Sequence, residues 1–177
     1  MAYNCGVCAD QIKKYADAVK YFDVAIQKNY NVANAYARKA GALKDLKKDA
    51  EMVETLEAGL KIAPGNKTME KLYAIHYLKE GQKFQKANDI NKAEESYKQV
   101  TTLSNKKWKT DALYSLGVLF YNNGANVLKK AAPLATSDAD KYATEKAAAD
   151  ADFKKASDYL KEACLLYTSD AADDRIS

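Results

Sequence analysis

Few residues in this chain have types and spacing that could do chemistry. Cys5-x-x-Cys8 is a thiol pair, His76 is the single histidine, and Tyr114 and Tyr121 are tyrosines seven residues apart. Two thiols at this spacing suit a redox couple or half of a zinc site. Tetrahedral zinc needs two further ligands, and His76 is the one other candidate of that type before Cys164. The internal repeats set out below place Cys5 and Cys8 at inward-facing helix sites where small apolar residues recur, so they are expected to be buried thiols. His76 has no evident acid–base partner and is read as a surface residue. The chain contains no Gly-rich phosphate loop, and no nucleophile has an evident base. The expectation is a protein that is not an enzyme, with no metal site and no cofactor. Tyr114 and Tyr121 lie two helical turns apart on one face, and exposed tyrosines suit recognition.

Those residues must be positioned by helices. The chain has 177 residues, 47% of them hydrophobic, with only 7 Gly and 2 Pro. Few breakers and much alanine favour an all-helical chain, long enough to bury a core. The helices recur. A shift of 34 residues backward takes Ala40 to Gly6, Leu56 to Phe22 and Leu60 to Ile26. A shift of 41 forward takes Ala40 to Gly81, Leu43 to Phe84, Met52 to Ala93 and Leu56 to Tyr97. A further 36 takes Tyr77 to Leu113, Gly81 to Gly117 and Phe84 to Phe120. Small residues recur at one site with large apolar residues beside it. Two crossing helices need that pattern, because backbones approach closely only where side chains are small. The 41-residue shift exceeds 34 by about two helical turns, so the third unit is expected to start early, near Thr68, on a helix reaching about residue 87. Pro64-Gly65-Asn66 marks the stop before it.

At this point the chain resembles the tetratricopeptide repeat family, whose unit is a helix–turn–helix. The residues carrying the resemblance are Leu116-Gly117 with Phe120, Tyr77 with Gly81 and Phe84, Ala93 with Tyr97, Ala18 with Phe22 and Ala25, and Pro64. Met52 and Gly59 depart from the usual alanine, and Tyr30 stands where proline is common. The extended last unit is similar to family members from Bacteroidota. The resemblance implies an all-α fold: a right-handed superhelical array of antiparallel helix hairpins, an α-solenoid of about four repeats. These repeats fall at about 1–32, 33–66, 68–107 and 108–163, within a single domain 1–163.

The fourth unit is longer than the others. Ala93 to Ala156, Tyr97 to Leu160 and Val100 to Ala163 are shifts of 63, against 36 for its first helix, so 27 residues are inserted. The insert is rich in Ala and Lys, with Pro133 near its middle and Ser137, followed by Asp140, as an N-cap signal. An elongated hairpin is expected, with helix over 125–131 and 138–155. Residues 164–177 break the pattern. The run from Cys164 to Asp173 resembles a sequencing-library adapter read through as protein, so 164–177 are expected to be a non-native tail, disordered from Ser169 onward.

The resemblance also implies the work done. In this family the first helices of successive repeats line a concave groove that holds a peptide or a partner's helix. Carried over, the lining is Tyr3, Val7 and Asp10, then Asn34, Arg38, Gly41 and Lys44, then Leu78, Lys79, Gln82 and Gln85, then Asp111, Tyr114, Val118 and Tyr121. Tyr3 and Val7 replace two groups of the lysine–asparagine clamp with which some members hold a C-terminal carboxylate. The expected function is a protein–protein interaction scaffold or adaptor, with a protein or peptide as partner. A structural assembly part using the long hairpin and the open end faces, with self-association through uncapped ends, is the alternative. Net charge is +4, nearly all from lysine, whereas base and phosphate readout favours arginine. No nucleic-acid partner is expected. No apolar run approaches the roughly 18 residues of a membrane span. As written, the chain reads as cytoplasmic, with the cell envelope as its place if a leader once preceded it.

Overall fold

The structure, a computed structural model, describes the backbone of residues 1–173 and the side chains of residues 1–168. Every regular element among them is helical: α1 (Ala2–Gln11), α2 (Tyr15–Gln27), α3 (Val32–Asp45), α4 (Asp49–Ile62), α5 (Lys67–Lys86), α6 (Ile90–Thr101), α7 (Lys106–Ala131), the short α8 (Leu134–Ser137) and α9 (Ala139–Asp173). The helices form two compact units, Met1–His76 and one that begins at Tyr77.

Three of the hairpin turns share one backbone device. Lys13, Lys47 and Asn88 all have positive φ, at 61°, 58° and 60°. The residue after each donates its N–H back across the helix end, Lys14 to Ala9, Lys48 to Leu43 and Asp89 to Phe84, at 2.8, 3.0 and 2.9 Å. This is the left-handed C-terminal motif that satisfies orphan carbonyls, and the three turns are spaced by the repeat shifts. The helix starts are capped more variably. Asn66 Oδ1 accepts from the N–H groups of Thr68 and Met69, at 3.1 and 3.2 Å. Asp89 Oδ1 accepts from Lys92 N–H at 3.2 Å, and Asn105 Oδ1 accepts from Trp108 N–H at 3.2 Å.

In the first unit α1 and α2 pack as a hairpin and α2 packs on α3. Phe22 is fully buried among Ala9, Ala18, Ala25, Ala35 and Ala42. A Cβ on Gly6 would lie 2.7 Å from the Phe22 ring, so this crossing requires glycine. On α3 and α4, Ala40, Leu43, Met52 and Leu56 are buried. In the second unit α6 packs on α7, and α7 and α9 pack along much of their length. Tyr97 is buried and its hydroxyl donates to Gln85 Oε1 at 2.8 Å, while burial pushes its phenol up from the usual value. Gly81 faces the Tyr97 ring, Gly117 faces Leu160, and Gly124 faces the Ala149 carbonyl and Phe153. The small-residue site read from the repeats is thus the crossing point of three hairpins.

The inserted residues lengthen α7 and α9 as expected. Asn123 Nδ2 donates to Asp152 Oδ2 at 2.7 Å across them. The cap is one residue later than the sequence signal. Asp138 Oδ1 accepts from Lys141 N–H at 3.1 Å, and the Ser137 hydroxyl instead donates to the Pro133 carbonyl at 3.1 Å. A carboxylate at the N-terminus of a long helix has the favourable dipole that serine lacks. At the other end, α9 carries helix to Asp173, past Ser169, where disorder is expected from the sequence. No proline or glycine lies between Ala139 and Asp173 to stop it. Asp174 to Ser177 lie outside the described residues.

Candidate protein-binding surfaces

The first unit brings some of the expected lining together. Tyr3 on α1 accepts a hydrogen bond at its hydroxyl from Arg38 Nε on α3, at 3.2 Å. Arg38 Nη1 also sits 3.7 Å from Asp10 Oδ2. The Tyr3 ring contacts the rings of Phe22 and Tyr30, with centroids 5.9 and 6.3 Å apart. Arg38 is thereby held by α1 while remaining exposed. Val7 is half-buried and packs against the Phe22 cluster. Asn34 is exposed and donates to its neighbour Asn31 at 2.8 Å. Lys44 is exposed beside Asp45, at 3.9 Å. Gly41 borders open space, with no atom within 4 Å of a built Cβ.

In the second unit, Lys79, Gln82 and Asp111 are exposed and Val118 is half-buried. Leu78 packs against the cluster of Tyr97, Leu116 and Phe120, and Gln85 is engaged by Tyr97. Tyr114 and Tyr121 are 60% and 57% exposed. A tyrosine that free offers a large rigid contact area at low entropic cost. Tyr121 is steadied from below by Phe153, with ring centroids 5.6 Å apart.

Sequence reasoning missed two hollows. Tyr121 forms one wall of an open, largely apolar cleft of about 990 Å³ that runs along α9 past Phe153, Ser157, Leu160, Cys164, Leu165 and Thr168. These residues follow the helical stripe i, i+4, i+7, i+11, i+12, i+15, which exists only because α9 continues beyond Ala163. A smaller hollow of about 290 Å³ is lined by Gln85, Asn88, Asn122, Asn123 and Asn126. It lies where α7 runs beyond the turn between α5 and α6, and no period marks it in the sequence. Along the flank of α9, Lys155 Nζ stands 4.7 Å from the centre of the Phe120 ring. On α6, a 2.6 Å ion pair joins Lys98 to Glu94, and that hydrogen-bonded carboxylate holds the Lys98 ammonium above its usual range.

Cys5 and Cys8 are not where the repeat alignment puts them. Both are exposed free thiols, and the buried α1 positions are Gly6 and Ala9. The inward pair lies one residue later, and one residue turns a helix by about 100°. Among the described residues, no three His, Cys, Asp or Glu side chains are grouped to hold a metal ion. No helix among them is long and apolar enough to cross a membrane.

No protein-family model matches the chain, and no curated protein matches it. A solved structure does. The chain is similar to a TPR repeats protein from Bacteroides fragilis NCTC 9343, at 64% sequence identity and a TM-score of 0.89. The match covers 98% of this chain and 78% of that one.

Proposed function

The chain belongs to the tetratricopeptide repeat family, and from that premise we propose that it is a non-catalytic protein–protein interaction scaffold. It takes a peptide or a partner's helix on the faces of its first helices. In the first unit the docking groups are Tyr3, Val7, Asn34, Arg38 and Lys44, with Arg38 oriented by Tyr3 and Asp10 to meet a partner carboxylate or carbonyl. In the second unit they are Leu78, Lys79, Gln82, Asp111, Tyr114, Val118 and Tyr121. The observation that carries the reading is the exposure of Tyr114 and Tyr121 at 60% and 57% on one face of α7. Tyrosines are enriched among residues whose truncation costs an interface about 2 kcal/mol or more.

Tyr114→Ala together with Tyr121→Ala should therefore weaken a captured partner by roughly 100-fold or more, since about 1.4 kcal/mol is tenfold in affinity. Far-UV circular dichroism should show unchanged helicity. Recovery of the same partners at the same affinity by the double variant would remove this face from the binding surface.

The large cleft on α9 supports a second reading, in which the long hairpin and the open end face serve assembly. Deleting residues 125–150 separates the two. Under the scaffold reading the partner is still captured through the α7 tyrosines. Under the assembly reading capture is lost while Tyr114→Ala alone, which leaves the Tyr121 wall of the cleft in place, binds normally.

A further inference from the structure

Cys5 and Cys8 are left without a role by the scaffold reading, and the structure changes what they can do. Both thiols are free and exposed, three residues apart on α1 (Ala2–Gln11), which turns its Gly6 and Ala9 into the core. Residues three apart on a helix stand side by side, with Cβ atoms about 5–6 Å from one another. A disulfide needs Cβ atoms about 3.5–4.5 Å apart, so closing one here would require α1 to unwind. An ion bridging two thiolates fits without unwinding. With metal–thiolate bonds of about 2.3 Å, a linear S–metal–S bridge spans roughly 4–5 Å. The donor set also selects the ion. No third His, Cys, Asp or Glu joins the pair among the described residues, which leaves a four-coordinate zinc site incomplete. Two thiolates with no further ligand are a soft donor pair that suits a two-coordinate copper(I) ion.

We propose that Cys5 and Cys8 form a two-thiolate site for copper(I). On binding, each thiol releases its proton to solvent and each sulfur gives an electron pair to the ion. The product is a bis-thiolate copper(I) centre and two protons, with no change in oxidation state. The site lies on an exposed helix face, so loading leaves the helical core untouched.

The test is a competition between the full chain and bathocuproine disulfonate for copper(I), kept reduced with ascorbate under nitrogen. The wild-type chain should withdraw one copper(I) per chain from the chelator. Cys5→Ser and Cys8→Ser should each lower the affinity at least about 100-fold, while Cys164→Ser, at the third thiol, changes nothing. Serine on an exposed helical face costs little, and circular dichroism confirms that each variant is folded. Zinc(II), titrated against a chromogenic chelator, should bind far more weakly than copper(I). Equal copper affinity in the double variant Cys5→Ser/Cys8→Ser would overturn the site. So would loss of binding on Cys164→Ser alone, or zinc binding as tight as copper(I).

Discussion

Gly117→Leu should destabilise the second unit by about 3 kcal/mol, the upper part of the range for overpacking a filled core. A Cβ at Gly117 would stand 2.5 Å from Leu160 Cγ and 3.3 Å from the carbonyl oxygen of Ala156. Real Cβ atoms do not approach that closely, and the contact is with the branch point of a packed side chain backed by helix backbone. The clash must outweigh a gain, because replacing glycine inside a helix improves propensity by up to about 1 kcal/mol. Gly41 supplies the control. Nothing lies within 4 Å of a Cβ built there, so Gly41→Ala should stabilise by about 0.5–1 kcal/mol. Urea unfolding followed by circular dichroism measures both. Opposite signs at two helical glycines follow only if Gly117 sits at a close helix crossing and Gly41 does not.

Phe22→Ala should cost the first unit about 3–5 kcal/mol, the range for emptying a buried aromatic site. Phe22 is 0% exposed, and its ring fills the space above Gly6. Its fully buried neighbours in the cluster are alanines, too short to close over the void. Gly6→Ala alone should also destabilise, since its Cβ would meet the ring at 2.7 Å. In the Phe22→Ala background the same change should be neutral or favourable. That non-additivity is what contact between two residues produces, and a double-mutant cycle measured by urea unfolding reads it directly. Additive effects would mean that Gly6 and Phe22 do not touch.

These two sites show how much the chain discloses before it folds. Gly6, Gly81 and Gly117 were legible as crossing points because a repeat compares each position with its copies. A small residue opposite Phe22, Tyr97 or Leu160 has a steric meaning. The long α7–α9 hairpin was legible from the mismatch between shifts in its two arms. What failed was resolution of a single residue. Cys5 and Cys8 flank Gly6 and Ala9 in sequence, and one step of helix rotation separates a core site from a solvent site. The expected cap, Ser137, is passed over for its neighbour Asp138, which is longer-reaching and charged. The continuation of α9 past Ser169 was hidden for another reason. An alanine-rich segment without breakers extends a helix already nucleated by α7 packing, whatever the origin of its sequence.

The surfaces were less legible than the core. Tyr114 and Tyr121 stood out because large aromatic residues at helical spacing must be either buried or available. The cleft on α9 and the amide-lined hollow beside Asn122 and Asn126 are made by backbone lengths: one hairpin outreaches its neighbour, and one helix face has no helix over it. Such hollows follow from the arrangement of elements and leave no residue pattern of their own.

The scaffold reading turns on whether the α7 tyrosine face touches a partner in the native host. Site-specific photo-cross-linking measures that. A photoreactive phenylalanine analogue is placed in turn at Tyr114, at Tyr121 and at exposed Lys154 on α9. Positions 114 and 121 should cross-link to the same discrete protein, and position 154 should not. Cross-links arising from position 154 alone, with none from 114 or 121, would contradict the scaffold reading.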